Sequence, residues 1–332
     1  MIKIALEAMG SDHAPFSEVA GAVEAVREYD CGIILVGQQD VLEAELAKHK
    51  YPTDKIEVRH ASEVIEMHDS PAASVRKKKD ASVSVAVKLI KEGAAQAIVT
   101  AGNTGAAVCA AGLFLRMVQG VDRPGIGVLL PTLKDVSMLI DAGANVDPKP
   151  EHLLQYGVMA SGYFNFILKK EKPRIGLLNV GQEESKGSDF ALRTHELFNK
   201  TELNFIGNVE GHDVYNGECD IIVCGGLVGN VALKISESLG SAISSILRRE
   251  MKKSLITRLG ALLSASAFRA LKKEIDYAEY GGAPLLGVDG NCIIAHGGSS
   301  PKAIKNAIRE ALKMAKSNVN EYIEKALKEF QY

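Results

Sequence analysis

The chain has 332 residues, 46% hydrophobic and 24% charged, which suffices for one large α/β domain or two interleaved ones. A formal net charge of −2 at pH 7 excludes a global nucleic-acid-binding character. The five cysteines, Cys31, Cys109, Cys219, Cys224 and Cys292, contain no C-x-x-C pair and read as reduced core residues of a cytosolic protein.

Strand and helix alternate through the first sixty residues: strands over 3–8, 31–37 and 56–61, helices over 16–29 and 41–49. That order predicts a mostly parallel sheet with helices on both faces. The N-terminus is a strand and not a signal peptide, because its apolar run is short and carries Lys3. The first strand runs into a glycine turn at Gly10, where Ser11 and Asp12 are placed to cap the next helix and Asp12 is a candidate substrate contact. His49 and Asp54 have H-x4-D spacing, but they span a helix end and a proline turn and are set aside. Arg76, Lys77, Lys78 and Lys79 point all round a helix, so they cannot all share one partner. They fit either a solvated helix end or a contact for phosphate or an acidic partner.

A helix over 82–92 and a strand over 97–101 lead into Gly102-Asn103-Thr104-Gly105 and a helix over 106–118. Glycines allow close backbone approach there, and Asn103 and Thr104 bring polar side chains to a helix N-terminus. The same residues suit a plain tight turn. Strands over 127–130 and 136–140, separated by a five-residue proline loop, predict a hairpin. The following loop holds Asn145, Asp147 and Lys149 as substrate contacts or as turn and cap chemistry, ahead of a helix over 151–169.

The stretch 175–189 opens as a buried strand, breaks at Gly181 and restarts as a helix at Ser188 or Asp189. Lys186 stands in that loop beside free backbone N–H groups, the outline of an anion site or an ordinary surface lysine. Gly225-Gly226-Leu227-Val228-Gly229-Asn230 follows a strand over 221–224 and leads into a helix from Val231, with Lys234 one turn later. Three glycine-rich turns at strand carboxyl ends are expected to cluster at one sheet edge. Residues 235–277 are helical and rich in Lys and Arg, with Leu255, Ile256, Leu259, Leu262 and Leu263 at helical spacing. They read as a protruding hairpin with a basic, greasy tip for an anionic membrane or an acidic protein, or as a face packed on the core or a second subunit. Two short strands over 281–295 precede His296, a proton donor, a phosphate ligand or a structural residue, and a final helix over 301–330.

No metalloprotease, nucleophile-elbow, Walker A or dinucleotide motif occurs, and no metal or cofactor is expected. The N–H-donating turns around Asn103, Lys186, Asn230 and His296 suit a bound oxyanion attacking to form a second one.

The motifs A-M-G-S-D-H-A-P, T-A-G-N-T-G-A, D-A-G-A-N-V-D-P-K-P-E-H-L, L-L-N-V-G-Q-E-E-S-K-G, G-L-V-G-N-V-A-L-K and H-G-G-S-S-P-K-A-I-K-N-A-I occur in order along the chain. Together they closely resemble the bacterial acyl-acyl carrier protein:phosphate acyltransferase (PlsX) family. The resemblance implies transfer of a fatty acyl group from acyl carrier protein to inorganic phosphate, feeding phosphatidic acid and phospholipid synthesis. It implies a three-layer α/β/α fold like isopropylmalate dehydrogenase and phosphotransacetylase, with a large mixed sheet, two interleaved subdomains over 1–332 and a homodimer. Lys186 and Asn230 fall on its active-site lysine and asparagine; Gly102, Asn103, Thr104, Gly105, Asp12, Asn145, Lys234 and His296 complete the expected phosphate and substrate contacts. The basic tip matches a membrane-contacting element of a cytoplasmic, peripherally membrane-associated enzyme. Gly225 and Glu7 stand where the family usually has Asp, Leu227 where it has Phe, and Ser11 where it has Gly. Two other readings are a short-chain phosphotransacetylase using coenzyme A and a non-catalytic membrane-associated scaffold of lipid synthesis.

Overall fold

The computed structural model describes residues 1–268 and 281–329. Its strands are β1 (Lys3–Glu7), β2 (Gly32–Gly37), β3 (Ile56–His60), β4 (Ala97–Thr100), β5 (Gly125–Pro131), β6 (Val136–Ile140), β7 (Ile175–Leu178), β8 (Phe205–Val209), β9 (Ile221–Val223), β10 (Ala283–Leu286) and β11 (Cys292–Ile294). They form one mixed sheet in the order β3-β2-β1-β4-β11-β10-β5-β6-β9-β7-β8. The block β3, β2, β1, β4 and β11 is parallel. The block β6, β9, β7 and β8 is also parallel. Three antiparallel pairings, β11 with β10, β10 with β5 and β5 with β6, join the blocks and leave them pointing in opposite directions. The chain builds the first block, then the second, and returns to add β10 and β11, so the two subdomains are interleaved.

Both faces of the sheet are covered, which is why its central strands are continuous apolar runs. Ile33 and Leu35 of β2 pack in one core cluster with helix α1 (Phe16–Glu28), helix α6 (Pro150–Tyr163) and the helix Pro301–Ala315. Ile34 and Val36 of the same strand pack in another, with helices α4 (Ser82–Lys91) and α5 (Thr104–Phe114). That split is the alternation of side chains across a strand.

Several boundaries differ from the sequence reading. Neither Ser11 nor Asp12 caps α1; its N-cap is Pro15, which makes no side-chain cap bond. The helix expected over 151–169 closes at Tyr163 and continues as one π turn, Phe164–Leu168. The last helix is split into Pro301–Ala315 and Val319–Glu329. Helix α8 (Gly226–Met251) begins five residues before Val231, so Asn230 lies inside it and not in a loop.

Of the hairpin expected over 235–277, α8 to Met251 and the helix α9 (Leu255–Leu263) are described, while 269–277 lies outside the described residues. Only Gly226 and Gly229 of α8 are buried, and no residue of α9 is. Among the described residues, no helix is long and apolar enough to cross a membrane.

Candidate active site

Two features fix the backbone of Lys186 without engaging its ammonium group. The Asn179 amide donates to the Lys186 carbonyl at 3.0 Å, and the Lys186 N–H donates to the Glu183 carbonyl at 3.0 Å. Gly187 then turns the chain with φ +99°, where a Cβ would lie 2.6 Å from Asn179 Oδ1 and 2.8 Å from Ala191 Cβ. Only glycine fits that conformation and that space. Ser188 accepts from the Ala191 N–H and caps helix α7 (Asp189–Asn199), as its position in the sequence suggests. The Lys186 stem lies over Gly181, whose Cβ would meet its Cγ at 3.1 Å, and the side chain is exposed with no ion pair among the described residues.

The neighbouring strand, β9, pairs with β7, so α8 starts beside the Lys186 loop. Its start is anchored by the buried Asp141. One Asp141 oxygen accepts from the N–H groups of Ile126, Gly143 and Ala144 at 2.9–3.1 Å, and the other from the Asn145 N–H at 2.7 Å. Asn145 in turn donates its amide to the Pro124 carbonyl and the Tyr156 hydroxyl, and its carbonyl accepts from the Gly226 N–H. The glycines of this stretch serve that approach. A Cβ on Gly226 would lie 2.6 Å from Asp141 Oδ2, and one on Gly229 would run into the Asp141 carbonyl oxygen. The Gly-rich segment that reads as a turn is therefore the packed face of a helix.

The first N–H groups of a helix have no partner inside it. Asn145 takes that of Gly226 and Gly225 that of Gly229, which leaves Leu227 and Val228 without an acceptor among the described residues. Gly225, the N-cap, has no side chain to supply one. Asn230 stands in the same turn, exposed, beside Gly143, and its amide has no hydrogen-bond partner among the described residues. Lys234 pairs with Glu237 on its own helix at 2.9 Å. The open groups here are Lys186, two backbone N–H groups and the Asn230 amide, a set of donors with positive potential.

The second set of turns follows β1, β4 and β11. The Asp12 N–H donates to the Gly297 carbonyl at 3.0 Å, and a Cβ on Gly10 would sit 2.9 Å from Gly102 Cα. Thr104 is exposed, and Gly105 leaves room for Pro71. His296 Nδ1 accepts from the Gly298 N–H at 3.1 Å, so the neutral ring carries its proton on Nε2. Buried Glu7 accepts from the hydroxyls of Ser82 and Thr100 at 2.7 and 2.9 Å. Burial raises its pKa, and those bonds oppose the rise.

Two expectations are corrected. The three glycine-rich turns do not share an edge: the Gly102–Gly105 turn leaves the sheet in the opposite direction from the Lys186 loop and the start of α8, because the two parallel blocks are antiparallel to each other. Asn103 and Asn145 are not open ligands through their amide nitrogens. Asn103 donates to the carbonyls of Glu66, Met67 and Asp69 and accepts from the Ala106 N–H, so it clamps 66–69 onto the start of α5. Asp141 is the group the sequence reading passed over. Its signal is a lone acid at a strand end followed by small residues, whose N–H groups can all turn toward it. Among the described residues, no group of three or more His, Cys, Asp or Glu is placed to hold a metal ion.

The sequence profile of the family described as "Fatty acid synthesis protein" matches residues 2–322. The chain is 50% identical over 321 residues to a phosphate acyltransferase of Syntrophotalea carbinolica, covering 96% of this chain and 92% of that one. It is 48% identical over 322 residues to a phosphate acyltransferase of Alkaliphilus oremlandii, covering 97% and 96%. The chain belongs to this family. Among solved structures it is similar to a phosphotransacetylase from Streptococcus pyogenes, with TM-score 0.65 and 19% identity over 95% of this chain and 94% of that one. A 4-hydroxythreonine-4-phosphate dehydrogenase from Klebsiella pneumoniae shares the fold at TM-score 0.53 and 13% identity, covering 95% and 99%. These likenesses establish the phosphotransacetylase-like and dehydrogenase-like architecture of this family member.

Proposed function

We propose that the protein transfers an acyl group from the thioester of an acyl carrier protein to inorganic phosphate, supplying acyl-phosphate for phospholipid synthesis. The observation that carries this reading is the unspent set of donors at the α8 start: Lys186, the Leu227 and Val228 N–H groups and the Asn230 amide. Phosphate docks there, and one of its oxygens attacks the thioester carbonyl carbon. Lys186 and Asn230 stabilise the tetrahedral oxyanion. The carbon–sulfur bond then breaks, the thiolate leaves with the electron pair and takes a proton from solvent, and acyl-phosphate remains. A thiolate is a good leaving group, so positioning and electrostatics suffice.

The reading includes a homodimer. Val231, Ile235, Leu239, Ile243 and Ile246 form an exposed apolar stripe along α8, suited to a second copy. The turns holding Asp12 and His296 leave the sheet opposite to the Lys186 loop, and a dimer whose pocket used both sets, one from each copy, would have shared active sites. It also includes peripheral contact with an anionic membrane. Leu255, Ile256, Leu259, Leu262 and Leu263 are all exposed on α9, near Lys252, Lys253 and Arg258.

The test is release of free carrier-protein thiol, followed with palmitoyl carrier protein, with and without phosphate. Release that needs both substrates, and a fall of about 10²–10³ in rate for Lys186→Ala, are expected. Equal or faster turnover of acetyl-coenzyme A would overturn the choice of donor, and undiminished release by Lys186→Ala would overturn the role of the lysine.

A further inference from the structure

An open cleft of about 420 Å³ lies at the start of α6, lined by Asp122, Arg123, Lys149, Glu151 and His152. It is tied to the candidate active site from two sides. The Asn145 amide, which braces the α8 start, donates at 2.6 Å to the carbonyl of Pro124, the residue after Arg123. Pro148, the residue before Lys149, packs against Gly225, whose Cβ would meet its ring at 3.2 Å.

The chemistry of the cleft is that of a receptor. His152 is only 8% exposed. Its Nδ1 accepts the Lys149 N–H at 3.0 Å, so the neutral ring holds its proton on Nε2. Burial lowers its pKa and favours that neutral form. The Nε2–H has no protein partner among the described residues and is left to the cleft that His152 lines. Arg123 and Lys149 are exposed at the cleft and make no ion pair among the described residues. The 14-residue helix α6 also points its N-terminus there. Asp122 is held by Gln155, which accepts its N–H and donates to its carboxylate at 2.9 and 3.0 Å. With Glu151 it supplies acceptors beside the cations.

We infer that this cleft is a second phosphoryl site, which holds the phosphate ester of the arm that carries the acyl thioester. Arg123, Lys149 and the His152 Nε2–H take the phosphoryl oxygens. The Asp122 and Glu151 carboxylates take N–H or hydroxyl groups farther along an amide-bearing arm. The inference rests on the proposed acyl transfer for the identity of the arm, and on the cleft alone for the phosphoryl chemistry.

Binding is measured without turnover, so a failure of the acyl-transfer reading does not blur it. The full-length protein, labelled with 15N-histidine, is titrated with pantetheine 4′-phosphate, with pantetheine and with inorganic phosphate. The His152→Gln variant assigns the His152 signals. Pantetheine 4′-phosphate is expected to shift the His152 Nε2 resonance saturably, and pantetheine to bind at least about ten-fold more weakly. Arg123→Ala and Lys149→Ala should each weaken binding about ten-fold, and Lys186→Ala should leave it unchanged. If inorganic phosphate saturates the same resonance at equal or lower concentration, the phosphoryl chemistry stands and the arm is rejected as its source. If no probe moves His152, or if the Arg123 and Lys149 variants bind as the wild type does, the inference is overturned.

Discussion

Gly229→Ala tests whether the packing of α8 on the Asp141 turn sets the site. The new methyl would run into the Asp141 carbonyl oxygen and lie 3.0 Å from Cys224 Sγ. Neither neighbour is free to yield. The Asp141 N–H donates to the Cys224 carbonyl at 3.0 Å, the Cys224 N–H to the Ile140 carbonyl at 2.7 Å, and the Asp141 carboxylate is held by four backbone N–H groups. The helix start must therefore retreat, by about 1 Å to restore an ordinary contact. Overpacking of this kind costs about 1–3 kcal/mol, and the helix propensity of Ala returns about 1 kcal/mol of it. A shift of about 1 Å at Asn230 and at the Leu227 and Val228 N–H groups should cost about 10² in rate. The expected signature is a large loss of phosphate-dependent thiol release with a fall in Tm of a few degrees. Gly240→Ala is the companion variant, since nothing lies within 4 Å of a Cβ there. It should raise stability by about 0.5–1 kcal/mol and leave the rate alone. A Gly229→Ala enzyme that turns over within about three-fold of wild type would refute the reasoning, because a displaced helix start cannot keep a 1 Å-sensitive site intact.

Gly225→Asp should supply the missing N-cap acceptor, with Pro148 giving by a few tenths of an ångström, and raise stability by a few tenths of a kcal/mol. Its carboxylate would occupy an N–H that phosphate uses, so the KM for phosphate should rise; an unchanged KM would count against phosphate at this helix start. Glu18 is buried with no ordinary hydrogen bond to either oxygen, and burial pushes its pKa up to about 7, with Ser11 opposing only in part. The folded state then keeps a proton that the unfolded state releases above the ordinary glutamate pKa of 4.5. Wild-type stability should therefore decline as pH rises from about 4.5 to 7, by on the order of 3 kcal/mol, and Glu18→Gln should flatten that decline in denaturant titrations at pH 5 and pH 8. Mixing Lys186→Ala with His296→Ala protomers should restore about a quarter of wild-type activity if each pocket draws on two copies, and none if it does not. Replacing Leu255, Ile256 and Leu259 with Ser should abolish sedimentation with vesicles containing anionic lipid, at about 1.5–3 kcal/mol per side chain buried in wild type, with turnover of a soluble donor retained.

Features whose cause is local were legible in the sequence. Ile33 to Val36 announce a strand covered on both faces, the proline loop between β5 and β6 announces a hairpin, and Ser188 caps α7 where its position says it should. Features that depend on distant partners were not. The opposite directions of the two blocks follow from β10 and β11, which the chain adds more than a hundred residues after β6. Asn103 is spent on carbonyls 34 to 37 residues away, and Asn145 on one 21 residues away. Nothing beside either asparagine marks it as already bonded. The start of α8 departs from its sequence pattern for a different reason. Glycine lowers helix propensity, so Gly225, Gly226 and Gly229 read as a turn. Tertiary contact overrides that preference, because only a helix face without Cβ atoms can reach Asp141 and Asn145.

What separates the site from its scaffold is whether a polar group's bonds are already made. Asp141, Asn103, Asn145, Glu7 and Lys234 resemble ligands in type and position, yet each has partners inside the protein. A group so engaged must give up a bond before it can take a substrate, which costs about what the new bond returns. Lys186 and Asn230 make no such trade. Their backbones are held by the Asn179 clamp and the Asp141 turn, while their side chains stay uncommitted. That combination is electrostatic preorganisation: donors fixed before the anion arrives need no reorganisation as charge builds on the carbonyl oxygen. Gly225 extends the same logic. A capping carboxylate would make the helix start self-sufficient, whereas glycine leaves two N–H groups whose natural acceptor is an anion from solution.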